Sequence, residues 1–589
     1  MSVLTSPGQF HRLLLFMLGL TVLAGLGAAD FHVAPTGKDT DPGTALKPWK
    51  TVVYGLSRMS GGDILHLAAG ATFTEYLYLA PGAGGTSAAP KTIIGDPAAR
   101  AVLAPIANDQ PVVYGYNSAG LVFANLRFVG PGMDIHQKDG VSFYADDGQH
   151  RGLTFRNCEF TGFGGNGLVI GGWNGTDRGF GGVLVEDCDF HHSRKCGFNT
   201  YAQYASGNTS ITVRRSRFAD HRGDPTAASH TGSGLILSGV TDGLVEHCLA
   251  TRNGDRCTTT GGPVGMWAYM ATRVTFQFCE SYANRAVNCD GGGFDLDGGC
   301  QDCVIQYCYS HDNDGAGYLL CQYSGARAFT GNTVRFCISE NDGRRQTGTR
   351  MAGIHFYSAG SNGGLQGTRI HNNTVFNSVA PAVWFQVTSG QTGTTLRDNL
   401  FVTTAGKALV QGSPSTAVAL FQGNAYWSSG AAWSVAGYAT LDAWRSAKGQ
   451  EMLAGAPVGL NADPLLTAPG TGGVIGDTGR LSTLTAYALK PGSPCADGGL
   501  DLAALFGLAA GGRDFYGNPV PAGSGWAIGA HEPPVNRNRT IDMQVPSGFR
   551  WNAASPTDAQ VDAPSGGVQR IHLNSLQTAL VGLVPVSPG

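Results

Sequence analysis

Residues 289–323 read CDGGGFDLDGGCQDCVIQYCYSHDNDGAGYLLCQY, and this stretch decides the fold. It contains two kinds of short apolar segment, separated by turns rich in glycine and aspartate. The first kind, IQYCYS, has an apolar residue three positions before Cys308, and the second kind, GGFDL and AGYLL, begins with a small residue. Apolar residues in both kinds recur with a period near two rather than 3.6, which predicts β-strands.

Both patterns recur along the middle of the chain, at intervals of 25 to 36 residues. In the first pattern, one position is always Cys, Ser or Asn, and it falls at Cys158, Cys188, Ser216, Cys248, Cys279, Cys308, Cys337, Asn373, Asn399 and Asn424. The second pattern recurs as NGLVI, CGFNT, SGLIL, VGMWA, GGFDL, AGYLL, AGIHF and PAVWF. Two or more short strands in each repeat, without a helical period, predict a β-solenoid in which each repeat is one coil.

The repeat changes how the cysteines are interpreted. Coils of a solenoid stack about 4.8 Å apart, so equivalent residues form ladders along its axis. We predict that one inward ladder of reduced cysteines packs in the core, at Cys158, Cys188, Cys248, Cys279, Cys308 and Cys337, and that Asn373 and Asn399 continue it through hydrogen bonds. The remaining cysteines stay candidates for disulfides: Cys196, Cys257, Cys289, Cys300, Cys303, Cys321 and Cys495.

The N-terminal sequence and the net charge indicate where the protein acts and which partners it lacks. His11 and Arg12 precede an apolar run over residues 13–26 and the small residues 27–29, which predicts a signal peptide at 1–29. The run is shorter than the roughly 18 residues of a membrane span. A formal net charge of −3 gives no basic surface for nucleic acid. We therefore expect an exported protein, secreted outside the cell or periplasmic, that has no stable membrane span after cleavage and acts as a monomer.

At this point the chain resembles a known family. Residues 31–73, FHVAPTGKDTDPGTALKPWKTVVYGLSRMSGGDILHLAAGATF, resemble the segment that leads through an amphipathic helix into the first coil of secreted β-helix proteins of the pectate-lyase-like superfamily. YALKPGSPCADGG at 487–499 and IGAHE at 528–532 resemble the closing segments of many bacterial members. The resemblance implies an all-β fold, a right-handed parallel β-helix of roughly 10–12 coils.

We divide the chain accordingly. The predicted parts are the signal peptide at 1–29, an N-terminal cap with the first coils at 30–120, the β-helix core at 121–428, an irregular C-terminal cap with the last coils at 429–532, and a C-terminal extension at 533–589. A cap is expected because an open solenoid end exposes a sheet edge that invites association. The extension is either a flexible tail or a set of strands that packs back on the solenoid.

Strand alternation predicts a candidate site on the outer face of the second strand. If the first and third residues after each small residue point inward, the second and fourth point outward, which places Asp295 and Asp297 together on the surface. Their carboxyl groups are then roughly 6.5–7 Å apart, near the lower end of the range for inverting glycosidases. The predicted substrate-binding residues on the same strip are Tyr201, Trp267, Tyr269, Tyr357, Trp384 and Arg350.

A calcium-dependent lyase is the alternative chemistry. Gly293, Phe294 and Asp295 resemble the last three positions of the aspartate-rich strand in pectate lyases of family nine, which implies Ca²⁺ and a lysine base. No lysine occurs between Lys195 and Lys407, so His355 or an arginine would have to be the base. The candidate Ca²⁺ ligands are Asp290, Asp312 and Asp314, because this hard cation takes several oxygen ligands.

Two classes of function follow. The first is an enzyme that cleaves a plant or algal type of polysaccharide in a groove on the β-helix face, either as a hydrolase with Asp295 and Asp297 as acid and base or as a lyase with His355 or an arginine as base. The second is a non-catalytic carbohydrate-binding or cell-surface protein that uses the same aromatic strip, since sugar rings stack on aromatic faces.

Overall fold

The computed structural model describes residues 28–288, 290–345, 350–404, 406–430, 433–509, 511–522 and 525–534, and five strands beyond them. Most of these residues wind into one solenoid of three parallel sheets, here called sheets A, B and C, with 14, 12 and 14 strands. The predicted signal peptide lies almost wholly outside the described residues. No helix in the described part of the chain is long and apolar enough to span a membrane.

Each sheet takes its strands in chain order, and every coil passes through A, then C, then B. The strands of sheet A are Asp30–Val33, Ile64–Leu67, Lys91–Ile94, Leu121–Ala124, Gln149–Arg156, Gly179–Glu186, Asn208–Arg214, Val240–Glu246, Thr272–Gln277, Val304–Gln306, Thr333–Arg335, Arg369–His371, Thr394–Arg397 and Ala419–Gln422. The strands of sheet B are Leu77–Leu79, Val113–Tyr116, Val141–Ala145, Asn166–Gly172, Cys196–Ala202, Ser233–Ser238, Val264–Tyr269, Gly292–Leu296, Tyr318–Gln322, Ile354–Ala359, Val383–Ser389 and Val410–Gln411. The strands of sheet C are Thr72–Thr74, Ala101–Ala104, Leu126–Val129, Glu159–Thr161, Asp189–His191, Arg217–Ala219, Leu249–Thr251, Glu280–Tyr282, Tyr309–His311, Ile338–Glu340, Thr374–Asn377, Leu400–Thr404, Ala425–Ser429 and Leu460–Asn461.

The predicted all-β parallel solenoid is therefore confirmed, with more coils than the predicted 10–12. Sheets A and C have 14 strands each because segments outside the clear repeats also pair. Asp30–Val33 begins sheet A within the predicted N-terminal cap, and Leu460–Asn461 ends sheet C within the predicted C-terminal cap. These end strands lack the repeat motif, so the sequence pattern alone did not reveal them.

Side chains stack in ladders inside the solenoid because neighbouring coils are in register. Phe128, Phe160, Phe190 and Phe218 follow one another in sheet C with ring centroids 4.8, 4.4 and 5.0 Å apart. Stacked rings at this spacing bury large apolar areas.

The cysteine prediction is confirmed for the ladder. All six predicted ladder cysteines are buried and free, and the Cys248 N–H donates to the Cys279 Sγ at 3.4 Å. Cys196, Cys257, Cys300, Cys303, Cys321 and Cys495 are also buried and free, so the described residues contain no disulfide. Cys289 lies outside the described residues.

The asparagine continuation of the ladder is also confirmed. Asn373 donates to Asn399 Oδ1, and Asn399 donates to Asn424 Oδ1, each at 2.9 Å. Asn424 donates in turn to Glu451 Oε1 at 2.7 Å, which closes the ladder at the C-terminal end. Every buried amide in this run therefore has a partner, as burial of polar groups requires.

Short helices cover the two ends of the core. The helix Val52–Arg58 begins at Thr51, whose hydroxyl accepts from Tyr54 N, while Glu75 accepts from Val52 N and Val53 N. The helix Leu441–Lys448 buries Trp444 completely against the rings of Phe421 and Tyr426. The remaining helices are Leu502–Phe506 and the 3₁₀ turns Ser361–Gly363, Thr478–Thr483 and Thr485–Tyr487.

The segment that follows the last strand of sheet C also packs on the outside of the solenoid. Leu481, Tyr487 and Ile528 pack on the outside of sheet C against Tyr309 and Leu400, forming a second apolar cluster. Glu280 accepts hydrogen bonds from Ile475 N and Gly476 N at 2.8 and 2.7 Å.

Four further strand sets are short. Phe329–Thr330 pairs with Leu365–Gln366 in parallel, and Met452–Leu453 pairs with Ala456–Pro457 in antiparallel fashion. In the C-terminal extension, Val568–Leu573 pairs with Arg539–Gln544 and Ala559–Val561, and Phe549–Ala553 pairs with Val581–Pro585, all antiparallel.

Candidate active site

Sheet B brings the predicted site residues into two columns. In the first column, Trp267 pairs with Asp295, Asp295 with Leu319, Leu319 with His355, and His355 with Trp384. These residues come from five successive coils, so the parallel register places side chains that are far apart in sequence along one line.

The first column is not an open surface, which corrects the expectation of an exposed strip. Trp267 and Asp295 are each only 3% exposed and His355 is fully buried. The connections that lead into the sheet B strands fold over the column: the His230 ring meets Trp267 edge-to-face at 5.1 Å, and Arg350 reaches across to Asp290. Strand alternation decides the direction of a side chain, but it does not decide what lies above it.

A pocket of about 270 Å³ remains between these connections and the sheet. It is lined by His230, Gly261, Trp267, Tyr269, Asp297, Cys321, Tyr323 and Arg350. Trp267 and Tyr269 stack with their rings 5.2 Å apart and form an aromatic wall. The volume lies just below the roughly 300–1,000 Å³ of drug-sized ligand pockets, so the pocket holds a small part of a long chain.

Asp297 lines the pocket, whereas Asp295, two residues earlier, is covered and does not line it. Burial raises the pKa of Asp295 well above its usual range, and the nearby charges of Asp297 and Asp290 raise it further. Asp295 Oδ1 is buried without a hydrogen-bond partner among the described residues. A buried carboxyl group without donors retains its proton, because nothing compensates for the lost hydration of a charge.

Asp297 follows the end of the strand Gly292–Leu296, and its carboxylate, unlike the Asp295 Oδ1 atom, accepts hydrogen bonds. Burial raises its pKa to about 6, while hydrogen bonds from Cys321 and from the Gly298 N–H, at 2.7 Å, and the charge of Arg350 act in the opposite direction. At neutral pH the pair therefore holds one proton, which stays on Asp295. Two neighbouring carboxyl groups in different protonation states are the arrangement that acid–base catalysis uses.

Arg350 closes the pocket from above. Its Nη1 donates to both carboxylate oxygens of Asp290 at 2.6 and 2.8 Å, and its guanidinium lies 5.1 Å from the ring centre of Tyr357. The Arg350 guanidinium therefore covers the face of the Tyr357 ring, and a sugar ring cannot stack there. Of the predicted substrate-binding residues, Trp267, Tyr269 and Arg350 line the pocket, whereas Tyr201, Tyr357 and Trp384 do not.

His355 does not fit the predicted role of a base. It does not line the pocket, its Nε2 lies 3.1 Å from Gln386 Oε1, and the Trp384 ring packs edge-on at 5.0 Å. Burial, aided by the charge of Arg350, lowers the pKa of His355 to about 3. The imidazole is therefore neutral and enclosed, and it packs the column beneath the pocket.

The three predicted calcium ligands do not fit a shared ion. Asp290 pairs with Arg350, Asp312 with Arg344 and His311, and Asp314 with Arg285. The described residues contain no group of three or more His, Cys, Asp or Glu side chains placed to hold a metal ion. Because each carboxylate already has a basic partner, we derive no step through Ca²⁺.

Four residues that line the pocket were not among the predicted site residues: His230, Gly261, Cys321 and Tyr323. Cys321 and Tyr323 continue the outward alternation of the strand Tyr318–Gln322, so the same period could have identified them. His230 lies on a long irregular connection between coils, where no pattern marked it.

Comparisons with known proteins give the fold. Residues 139–374 match the family model described as "Right handed beta helix region". No curated protein matches the sequence significantly. Among solved structures, the GH136 lacto-N-biosidase from Eubacterium ramulus aligns with a TM-score of 0.47 and 18% identity over 60% of this chain. The alignment spans 65% of the lacto-N-biosidase chain, which is less than two thirds of its length.

Two polysaccharide lyases are also similar. Pectate lyase Pel9A aligns with a TM-score of 0.41 and 15% identity, over 86% of this chain and 96% of its own. A rhamnogalacturonan lyase aligns with a TM-score of 0.35 and 15% identity, over 69% and 88%. The family model and the three continuous parallel sheets show that the chain has the right-handed parallel β-helix fold that its resemblance to the pectate-lyase-like superfamily predicted.

Proposed function

We propose that the protein is a carbohydrate-active enzyme, a glycoside hydrolase whose reaction takes place in the pocket above Asp295 and Asp297. One observation carries the proposal: two neighbouring carboxyl groups with raised pKa values lie at an aromatic wall, and the deeper one has an oxygen without a hydrogen-bond partner among the described residues. Buried charges and unpaired polar atoms cost stability, so their presence in a cleft favours a functional role.

The two carboxyl groups take different roles in the proposed reaction. Asp295 is the general acid. Its carboxyl group is 3% exposed and does not line the pocket, so it must turn toward the substrate to give its proton to the glycosidic oxygen as the bond from that oxygen to the anomeric carbon breaks. A water molecule adds to the anomeric carbon, and its proton passes to Asp297, which acts as the general base. Asp297 suits this role because it lines the pocket and its pKa of about 6 leaves it ionised at neutral pH.

The aromatic wall supplies binding and orientation. Trp267 is fixed by a hydrogen bond from its Nε1 to Ser233 Oγ at 3.1 Å, and Tyr269 stacks on it. A sugar ring that contacts Tyr269 costs little side-chain entropy, because Trp267 already holds the Tyr269 ring in place. This arrangement favours a sugar unit held beside Asp297.

A lyase is the second candidate, because Arg350 also lines the pocket and could face a uronate carboxylate. Two observations weaken it. Arg350 is already paired with Asp290 at 2.6 Å, and His355 is enclosed with a lowered pKa. The hydrolase therefore has the stronger support.

The test is a panel of aryl glycosides and polysaccharides, assayed for released phenol or reducing ends and, separately, for the absorbance of unsaturated products. Asp295→Asn and Asp297→Asn should each lower kcat about 100-fold or more, the usual contribution of a general acid or base. Asp302→Asn is the matched control, because Asp302 is an exposed turn residue outside the pocket. Unsaturated products would support the lyase, and binding without turnover would support the non-catalytic alternative.

We also propose that the protein is exported, on the basis of its N-terminal basic and apolar run. N-terminal sequencing of protein recovered from the medium or periplasm should give a mature chain that starts near Asp30. Retention of residues 1–29 in a cytoplasmic pool would contradict export.

A further inference from the structure

A set of tyrosines lies on the same outer face of sheet B, on the coils that precede the pocket. In the first column, Tyr78 pairs with Tyr114. In the second column, Tyr116 pairs with Tyr144, Tyr144 with Gly171, and Gly171 with Tyr201. We call Tyr78, Tyr114, Tyr116, Tyr144 and Tyr201 the tyrosine track.

The track leads to the pocket along the strand register. The first column continues through Ser142, Val169, Asn199 and Ile236 to Trp267, which pairs with Asp295. From Val113–Tyr116 to Gly292–Leu296 there are six strand-to-strand steps in sheet B. At about 4.8 Å per step, this is a path of ~29 Å parallel to the solenoid axis.

The rings are arranged as flat platforms. Tyr78 and Tyr114 stack with centroids 6.1 Å apart, and Tyr116 and Tyr144 do so at 6.1 Å with an interplanar angle of 8°. Tyr78 is 51% exposed and the other members of the track are partly exposed. Between the track and Trp267, Val169 and Ile236 are buried, so the exposed aromatic surface is the track itself. Sugar rings stack on aromatic rings of this kind.

Gly171 is what allows Tyr201 to lie along the sheet. A Cβ atom at Gly171 would come within 2.4 to 2.5 Å of three carbons of the Tyr201 ring. The ring therefore covers the glycine and extends the platform from Tyr144 toward the pocket. In the first column, Asn199 Oδ1 is buried without a hydrogen-bond partner among the described residues.

Two acidic residues, Asp146 and Asp147, lie beside the track, and Asp147 is paired with His150 at 2.7 Å. Asp146 accepts the Tyr116 hydroxyl at 3.0 and 3.1 Å. This hydrogen bond and the charges of Asp146 and Asp147 raise the pKa of Tyr116. Burial raises the pKa of Tyr201, and the charge of Asp139 adds to it. Carboxylates at this face would repel a chain of uronates and leave a neutral chain unaffected.

We propose that the tyrosine track binds a neutral polysaccharide chain that runs from the pocket toward the N-terminal coils. The proposal rests on the proposed function and deepens it, because it names the substrate class and the direction of the chain. The path of ~29 Å is much longer than the pocket, so most of the binding to a long chain takes place on the tyrosines. Repulsion by the nearby carboxylates excludes polyuronates.

The test measures binding by the full chain carrying Asp297→Asn, so that no turnover is needed. The probes are soluble xylan, galactan and glucomannan as neutral polymers, and polygalacturonate and alginate as uronates. At least one neutral polymer should bind, with an affinity that changes little with salt, and the uronates should bind at least tenfold more weakly at low salt. Tyr78→Ala combined with Tyr114→Ala should weaken neutral-polymer binding about tenfold, or about 1.4 kcal/mol.

The control is Tyr204→Ala, because Tyr204 is 45% exposed and lies outside both columns. It should leave binding unchanged, and the thermal unfolding midpoint should report that all variants are folded. Gly171→Ala, which displaces the Tyr201 ring, should weaken binding in the same direction. No binding of any neutral polymer, stronger binding of a uronate, or equal loss in Tyr204→Ala would overturn the proposal. Because the assay measures no turnover, failure of the hydrolase proposal would leave this result unaffected.

Discussion

Arg350 holds Asp290 through two hydrogen bonds, at 2.6 and 2.8 Å, although the two residues lie on different coils and 60 positions apart. The Asp290 side chain is 3% exposed and that of Arg350 is 15% exposed. The pair joins the connections that precede two sheet B strands and thereby fixes the upper wall of the pocket beside Asp297.

Asp290→Asn should destabilise the protein by about 1–3 kcal/mol, because a largely buried guanidinium would lose its charged partner. The matched control is Asp242→Asn. Both aspartates have positive φ, 55° and 62°, and both pair with arginine, but Asp242 and Arg273 are each more than half exposed. The control should change stability by less than about 1 kcal/mol. Thermal unfolding of both variants measures the difference, and equal shifts would mean that the Asp290 pair has no special role.

Asp297→Asn should stabilise the folded protein at pH 7 while it abolishes turnover. The pKa of Asp297 is raised from 3.8 to about 6, so the folded state binds this proton more tightly than the unfolded chain. The favourable contribution is complete below about pH 4 and is lost as the pH rises through 6, which leaves an unfavourable charge at neutral pH.

The gain from Asp297→Asn should be ~1–3 kcal/mol at pH 7 and should shrink toward zero near pH 4. Unfolding midpoints measured from pH 4 to 8 provide the check. Asp302→Asn, in an exposed turn, should show no such trend. A stability difference that stays constant with pH would contradict the raised pKa.

Removal of divalent cations should leave activity and stability unchanged. Asp290, Asp312 and Asp314 are each held by an arginine, so none offers a free carboxylate for a shared cation. Activity and the unfolding midpoint would be measured after treatment with a chelator and again after addition of Ca²⁺. A loss that Ca²⁺ restores would show that the arginine pairs rearrange around an ion.

Asn399→Ala should be destabilising, by about 1–3 kcal/mol, because it removes the acceptor of the buried Asn373 N–H. Asn399 accepts from Asn373 and donates to Asn424, both at 2.9 Å, and all three are buried. Asn461→Ala is the control, because Asn461 is exposed in the last strand of sheet C. Denaturant midpoints of the two variants should differ clearly. Equal midpoints would mean that the ladder contributes packing but no net hydrogen-bond energy.

Much of the core could be predicted because successive coils of a solenoid carry similar residues at equivalent positions. Cys279, Cys337, Asn373 and Asn399 lie on one ladder, since each occupies the same position in its repeat, and the Cys337 N–H donates to Asn373 Oδ1. Alignment on the small residue of the second pattern also predicted the sheet B register that pairs Trp267 with Asp295.

The candidate site could be predicted only in part. Asp295, Trp267 and Tyr269 lie on regular strands, where alternation gives their direction, and Asp297 follows the end of the strand Gly292–Leu296. The expected exposure of Trp267 and His355 was wrong, because connections of irregular length fold over them.

The amino-acid sequence by itself determined the parallel β-helix, its ladders of cysteine and asparagine, and the strand that carries the two aspartates. These features follow from local periodicity, in which each residue meets its equivalent on the next coil. Only the tertiary structure decided that Arg350 pairs with Asp290, that His230 contacts Trp267, and that Asp295 is covered while Asp297 lines the pocket. These contacts join aperiodic connections whose paths depend on packing across several coils, so no repeat in the sequence encodes them.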